Sequence, residues 1–538
     1  MYFYISQSNP QFRRTERNSA VNHQNPLQRT LLLLLAVALP LALPASAQSD
    51  ITATNTIAIK FDKTIIVSRS TPTLQVVVNP MIAAGSPIHD GTFAALKDLG
   101  ADYVRYVPWN PYPKLSVAEL DPPANGKTSW DFSLIDPYTK DFLTATHDQG
   151  HSTVMNFSTI PAWMFKTDKL VTYPSDPNQV FWDYTQGTDP VDPSEKQIGD
   201  YLARLVSWYT QGGFTDELGQ KHTSGYHYKF PIWEVLNEPD IEHSTTPEDY
   251  TKRYDAIVAA IHKVSPDTKF MGLGLAFTTA NPKYYEYFLN PKNHKAGTPL
   301  DYISYHFYAS PDPKEDINNW QYSFFNQADQ FLAGIRFIKS TRDRLSPSTK
   351  MDTDELGVIL PTDGAEIEYA KNHPDTKGAL PDRIPALYWN AAGSLYGYLF
   401  IEESKLGIDV IGESQLVGYP SQFPSVSMMD YNKGKPNARY WVLKLLVDNF
   451  HPGDKLVETS SGQGTSITSQ AYITPTGKKL LLVNKHNEPI EVTLPAEAAS
   501  ASVSTVDQAS GDNAPRVSQQ SGNKLTLAPF AVSVVSWK

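Results

Sequence analysis

"FPIWEVLNEPDIEHSTTPEDYTKRYDAIVAAIHKVSPDTKFMGLGL", Phe230 to Leu275, places a β-rich run at each end of one long helical pattern. Ile232–Asn237 and Lys269–Leu275 read as strands. Between them Thr246 is an N-cap, Pro247 takes the first helical position, and Asp249 faces the positive end of the helix dipole. Tyr250, Tyr254, Ile257, Val258 and Ile261 then recur at helical spacing and form one apolar face. A strand, a helix and a second strand in this order make a βαβ unit, which implies a parallel sheet.

The same alternation extends in both directions. Upstream strands are predicted at Leu74–Asn79, Tyr103–Val107 and Ser152–Phe157. Downstream strands are predicted at Tyr302–Phe307, Lys350–Glu355 and, more weakly, Ile408–Glu413. Helical patterns lie between them, among them "DPSEKQIGDYLARLVSWY", where Asp192, Pro193 and Glu195 suggest a capping box. "NARYWVLKLLVDNF" closes the series. Eight strands each followed by a helix predict a (β/α)8 barrel over residues 71–450, enlarged by long loops at Leu115–Ser129 and Leu356–Ala379.

Beyond Phe450 the runs become short and alternating, as in "KKLLLVNK" and "PIEVTLP". This predicts an appended antiparallel β-sandwich over residues 451–538. The segment 48–70, with "IAIKFDKTIIVSRS", is expected to pair with it. Residues 1–47 read as a cleaved signal peptide. Arg13, Arg14, Arg17 and Arg29 precede the apolar run Leu31–Ala47, which holds two prolines and ends in Ala-x-Ala. An exported, secreted or periplasmic protein with no membrane span after cleavage is expected.

Composition narrows the function classes. With 57 acidic and 46 basic residues the net charge is −11, and the body of the chain has no basic stripe, so a nucleic-acid partner is disfavoured. The absence of cysteine removes disulfides, thiolate metal sites and cysteine nucleophiles. There is no Gly-x-Ser-x-Gly for a serine hydrolase and no His-Glu-x-x-His for a zincin. No metal or organic cofactor is implied, and the oligomeric state is not encoded in any readable pattern.

Asn-Glu-Pro occurs twice. Asn487-Glu488-Pro489 lies between two sandwich strands and reads as an exposed hairpin turn. Asn237-Glu238-Pro239 closes the fourth barrel strand, at the end where such barrels carry their active sites. Glu234, Leu236 and Glu238 share strand parity, so two carboxylates are expected to point inward, where an acid must be used or paired. Glu238 is the candidate for chemistry, and Glu234 the candidate ion-pair partner of Arg105 on strand two. Glycosidic bond cleavage needs a second carboxylate across the barrel. Strand seven offers Asp352, Asp354 and Glu355; Glu355 is preferred because Leu356-Gly357 should turn the chain outward, with Asp354 the alternative. His306, Tyr308 and Trp163 lie at or after other strand ends and suit a sugar pocket.

"WEVLNEP", with "YHFY" and the strand-seven glutamate, resembles the clan A glycoside hydrolases. The likeness is closest to family 39, which includes β-xylosidases and α-iduronidases on a (β/α)8 barrel with a β-sandwich. It extends over about residues 70 to 538. The resemblance implies Glu238 as general acid/base, Asn237 on the sugar 2-hydroxyl and Glu355 as nucleophile. His306 and Tyr308 would then be pocket residues, and Arg105 the support of the nucleophile. Three features depart from the family pattern: at strand seven Asp354 precedes the glutamate where threonine is usual and Leu356-Gly357 follow where an aromatic is usual, strand eight lacks an aromatic, and the long loop after Glu355 has no counterpart. The substrate expected is an oligosaccharide or polysaccharide, cleaved with retention by an exo-glycosidase of β-xylosidase type. An endo-acting glycanase and a silent carbohydrate-binding protein are the alternatives.

Overall fold

A computed structural model describes residues 55–169, 171–373, 384–462 and 465–538. Eight parallel strands close into a barrel. They are β1 (Thr71–Val77), β2 (Val104–Val107), β3 (Thr153–Met155), β4 (Ile232–Glu234), β5 (Lys269–Leu275), β6 (Tyr302–Ala309), β7 (Lys350–Val358) and β8 (Val410–Glu413). Each pairs with its neighbours in sequence, and β8 closes on β1 through Val410↔Thr71 to Glu413↔Leu74. Every one of the eight strands read from the sequence is present.

The helix Pro247–Val264 forms as its signals require. The Thr246 hydroxyl accepts from the Asp249 N–H at 3.1 Å, and the five apolar-face residues are all buried. The helix after Glu195 departs from expectation. It begins at Lys196, and Glu195 adopts a left-handed conformation with no side-chain cap. Its carboxylate instead meets Arg253 Nε at 3.1 Å, both side chains being buried. An unpaired buried guanidinium would cost more than a lost cap. The expected loop Leu356–Ala379 is also revised over its described part, residues 374–379 lying outside the described residues. β7 continues to Val358, and a helix follows at Pro361–Asn372.

The C-terminal region forms two sheets. Seven strands run in the order Ala58–Val67, Lys455–Ser460, Ile467–Thr474, Gly477–Asn484, Val532–Trp537, Ser502–Val506 and Arg516–Gln519. Three more, Asn55–Thr56, Ile490–Thr493 and Lys524–Leu527, make the second sheet. Ala58–Val67 pairs antiparallel with Lys455–Ser460, so a strand preceding the barrel completes a sheet that follows it. Asn487-Glu488-Pro489 is not a hairpin turn, because the strands on either side of it lie in different sheets. The Asn487 N–H donates to Gln321 Oε1 at 2.7 Å, on the helix Trp320–Leu345.

One face of the larger sheet joins the barrel's apolar core, while the space between the two sheets holds a second one, with Val457, Leu480, Leu482, Val492 and Leu527. Leu481, Val483, Val532 and Val534 of the larger sheet pack with the helices Ala386–Leu406 and Ala438–Val447. A Cβ on Gly397 would lie 3.2 Å from Val483 and 3.4 Å from Val532, so helix and sheet meet at a position with no side chain. Each aliphatic side chain buried there contributes roughly 1.5–3 kcal/mol. No helix among the described residues is long and apolar enough to cross a membrane. Arg13, Arg14, Arg17, Arg29 and the apolar run Leu31–Ala47 lie outside the described residues.

Candidate active site

Arg105 projects from β2 into the barrel and gathers the acids around it. Its Nε lies 2.5 Å from Glu234 and 3.1 Å from Asp354, and its Nη1 lies 2.6 Å from Glu355 Oε1. Nη1 also donates to Gln75 Oε1 on β1 at 2.7 Å, and Nη2 to Asn237 Oδ1 at 2.8 Å. A planar, permanently charged fork suits this many acceptors. The Arg105–Glu234 pair expected from the sequence is therefore present. Asn156 Nδ2 and Ser304 Oγ also donate to Glu234, at 2.6 and 2.5 Å.

Two consecutive acids of β7 reach the same guanidinium because the strand register slips. Tyr305 pairs with Thr353 and His306 with Glu355, which leaves Asp354 without a partner across the strands. An extra residue of this kind re-aims the side chains after it. Asp354 therefore faces Arg105 from within the barrel, while Glu355 faces it from nearer the mouth. Leu356 and Gly357 do not turn outward as expected; they pair with Phe307 and Tyr308.

Glu238 arrives by a different route from the one that parity suggests. β4 ends at Glu234, and the chain then kinks through left-handed residues at Leu236 (φ 67°) and Glu238 (φ 41°). Such conformations cost roughly 1–3 kcal/mol each for non-glycine residues and collect at functional sites. The kink is held by the Glu238 N–H donating to the Gly274 carbonyl at 2.9 Å. Gly274 (φ 56°) leaves room for Glu234, whose Oε1 would sit 3.2 Å from a Cβ there.

The side chains converge at the mouth. His306 Nδ1 lies 2.9 Å from Glu238 Oε1 and 3.5 Å from Glu355 Oε2, and its Nε2 faces Asp354 at 3.6 Å. The Tyr308 hydroxyl donates to Glu355 Oε2 at 2.6 Å and lies 2.7 Å from Ser414 Oγ. Glu238, His306 and Glu355 each present a polar atom within 4.8 Å of the other two. That spacing would admit a cation, but Glu355 already has the Arg105 guanidinium on one oxygen. Glu355 is 8% and Glu238 6% exposed, so both are nearly closed off from solvent. Trp163 is not part of this cluster; its indole N–H donates to the Glu119 carbonyl at 3.0 Å.

Charge is distributed unevenly among these acids. Burial lifts the Glu238 carboxyl above its ordinary range; His306 opposes the lift and the Glu355 charge adds to it. Burial also raises Glu234, to about 8, against the pull of Arg105. Asp354 goes the other way: burial opposes its ionisation, but Arg105 and His306 hold it down at about 2. His306 is raised well above the usual imidazole value, because Glu355 and Asp354 outweigh its burial. The centre thus sets the raised Glu238 carboxyl beside Glu355, whose two oxygens accept from Arg105 and Tyr308.

Sequence reasoning missed Gln75, Asn156, Ser304, Ser414 and Glu242. Gln75 is the polar interruption of an apolar strand, a signal that was legible. Glu242 is one helical turn beyond Glu238 and accepts from Trp109 Nε1 at 2.5 Å, Asn237 Nδ2 at 2.9 Å and Gln186 Nε2 at 2.7 Å. Burial and the Glu238 charge push it up to about 8.

Residues 181–328, from before the β4 strand to the helix after β6, match the family model "Glycosyl hydrolases family 39". The chain is a glycoside hydrolase. Residues 465–535 of this hydrolase match "D-apionate lactonase, C-terminal immunoglobulin-like domain", in accord with the sandwich. No curated protein matches the chain. Solved structures similar to it include a GH51 α-L-arabinofuranosidase from Thermotoga petrophila RKU-1, at 16% identity and TM-score 0.58, covering 90% of this chain and 100% of the other. A glucosidase from Croceicoccus marinus is 14% identical with TM-score 0.56, covering 90% and 98%. The catalytic domain of GH30 xylanase C from Talaromyces cellulolyticus is 12% identical with TM-score 0.54, covering 90% and 100%. These likenesses show the shared fold.

Proposed function

We propose that the hydrolase is a retaining exo-glycosidase of β-xylosidase type, acting outside the cytoplasm, with Glu355 as nucleophile and Glu238 as acid/base. The observation that carries this reading is the approach of Glu238 and Glu355 oxygens to within 4.8 Å. Retaining enzymes keep their two carboxyl groups about 5–5.5 Å apart, whereas inverting ones leave about 6.5–9.5 Å for a water.

In the first step a Glu355 oxygen attacks the anomeric carbon. The bond to the leaving oxygen breaks as that oxygen takes the Glu238 proton. In the second step Glu238, now a carboxylate, takes a proton from water, whose oxygen attacks the anomeric carbon and releases Glu355. Glycosylation removes the Glu355 charge, one of the influences that hold Glu238 protonated, so the same residue can act as base. Asn237, fixed between Arg105 and Glu242, presents its amide beside the reacting centre.

The test is hydrolysis of an aryl β-D-xyloside followed by proton NMR. β-Xylose is expected as the first product, and α-xylose first would overturn the retaining assignment. Glu238→Gln is expected to lower kcat by about 10²–10⁴-fold, the usual worth of a general acid. The pH profile gives a further check. Activity should fall on the alkaline side as the raised Glu238 carboxyl deprotonates. His306 opposes that rise, so His306→Gln should move the alkaline limb of kcat/KM to higher pH. A downward shift would place His306 in another role.

A further inference from the structure

Three aromatic rings, each from a different loop at the mouth of the barrel, meet beside the acid/base. Trp109 follows β2, Trp182 lies between β3 and β4, and Phe423 follows β8. Ring centroids are 5.1 Å apart for Trp109 and Trp182, 6.4 Å for Trp109 and Phe423, and 6.2 Å for Trp182 and Phe423. All three residues are half-buried, so each keeps part of its surface open. The group is tied to the reacting centre through Glu242, which accepts from Trp109 Nε1 at 2.5 Å and from Asn237 Nδ2 at 2.9 Å.

Two features argue that this is a built surface and not a by-product of packing. The loops are braced to one another: the Phe181 N–H donates to the Pro111 carbonyl at 2.8 Å, and the Tyr112 hydroxyl meets Ser421 Oγ. Phe423 also holds a left-handed conformation (φ 54°), which a bulky side chain rarely adopts. Glycine or asparagine would occupy that position with less strain, so placing a phenyl ring there is what the strain maintains. The polar groups bonded into this corner are Glu242, Gln186 and Asn237, none of them a cation. Arg105 is already engaged by Glu234, Asp354, Glu355, Gln75 and Asn237.

We propose that Trp109, Trp182 and Phe423 form a second sugar subsite beside Glu238, which stacks the C–H face of an uncharged sugar ring. This rests on the glycosidase reading of the carboxylate pair. Aromatic faces attract apolar C–H surfaces, the Glu242 carboxyl at the base can bond a ring hydroxyl, and with no cation among the groups bonded there a uronate would be buried without a counter-charge. Phe423 supplies an aromatic from the loop after β8, which the β8 strand itself lacks.

The experiment is a tryptophan-fluorescence titration of the Glu355→Ala protein with xylotetraose, cellotetraose and tetragalacturonate. A saturable change with at least one neutral oligosaccharide is expected. Trp182→Ala and Phe423→Asn, each added to that background, should weaken it tenfold or more. Phe423→Asn should also leave Tm unchanged or raised, since asparagine tolerates the backbone. No change with either neutral sugar, equal affinity in both variants, or equally tight tetragalacturonate would overturn the proposal. So would a Tm fall in Phe423→Asn that accounts for the lost binding. Saturable binding that Trp182→Ala removes, in a protein that hydrolyses no aryl glycoside, would sink the hydrolytic reading and leave the subsite standing. Turnover with unaltered binding in the variants would do the reverse.

Discussion

Glu355→Ala is expected to fold, to bind substrate and to form no glycosyl-enzyme. Mass spectrometry of the wild-type protein quenched during turnover of an activated aryl xyloside should show a pentosyl adduct on Glu355; the variant should show none. The expected loss in kcat is on the order of 10⁶-fold, the scale on which removing a nucleophile acts in other hydrolases. Folding should survive because removing one acid leaves Arg105 with Glu234, Asp354, Asn237 and Gln75. The register slip makes Asp354 the obvious substitute. Its position within the barrel, against Arg105 and His306, is expected to keep it from the anomeric carbon. An adduct on Asp354 in the wild-type protein would reverse that assignment.

Arg105→Met should be the most damaging single substitution for stability. The guanidinium is 2% exposed and holds Glu234, Asp354 and Glu355 in one place. Breaking a buried ion pair by removing one partner costs about 3–5 kcal/mol, because the remaining charge is left without compensation. The loss should depend on pH, with a definite sign. In the wild-type protein Asp354 titrates at about 2, below its ordinary 3.8. It therefore contributes stability above about pH 4 that disappears as the pH falls toward 2. Without Arg105 the Asp354 carboxyl loses the largest influence holding it down, and burial favours its protonated form. The difference in urea unfolding between wild type and variant should thus be larger at pH 7 than at pH 4. A difference independent of pH would mean that Arg105 acts through packing.

The contrast between the well-read and the misread regions has a physical origin. The eight strands and the helix Pro247–Val264 follow from periodicity and capping, which are local. Glu238 was placed at the mouth by strand parity, yet it reaches that position through two left-handed residues after a strand only three residues long. The position was readable and the route was not, because backbone kinks leave no mark in a pattern of apolar residues. The sequence favours Glu355 over Asp354 through an expected turn at Leu356-Gly357 that does not form; the slip that brings both acids to Arg105 depends on pairing with β6. Glu195 looked like a cap because its partner, Arg253, is far away in sequence. The second Asn-Glu-Pro looked like a hairpin because sheet membership is a long-range property.

The pairing of Ala58–Val67 with Lys455–Ser460 bears on how the protein is made. Val67 must wait for Lys455, 388 residues later (455 − 67), before that sheet can close. At about 5–20 residues per second, synthesis alone leaves the strand without its partner for roughly 20–80 seconds. An unpaired strand is a template for association with other chains. "AIKFDKTIIV" carries Lys60, Asp62 and Lys63 along its length, and in the finished sheet Lys60 and Lys63 both bind Glu458. The charges that later join this strand to the sheet are thus available, during the delay, to keep nascent chains apart.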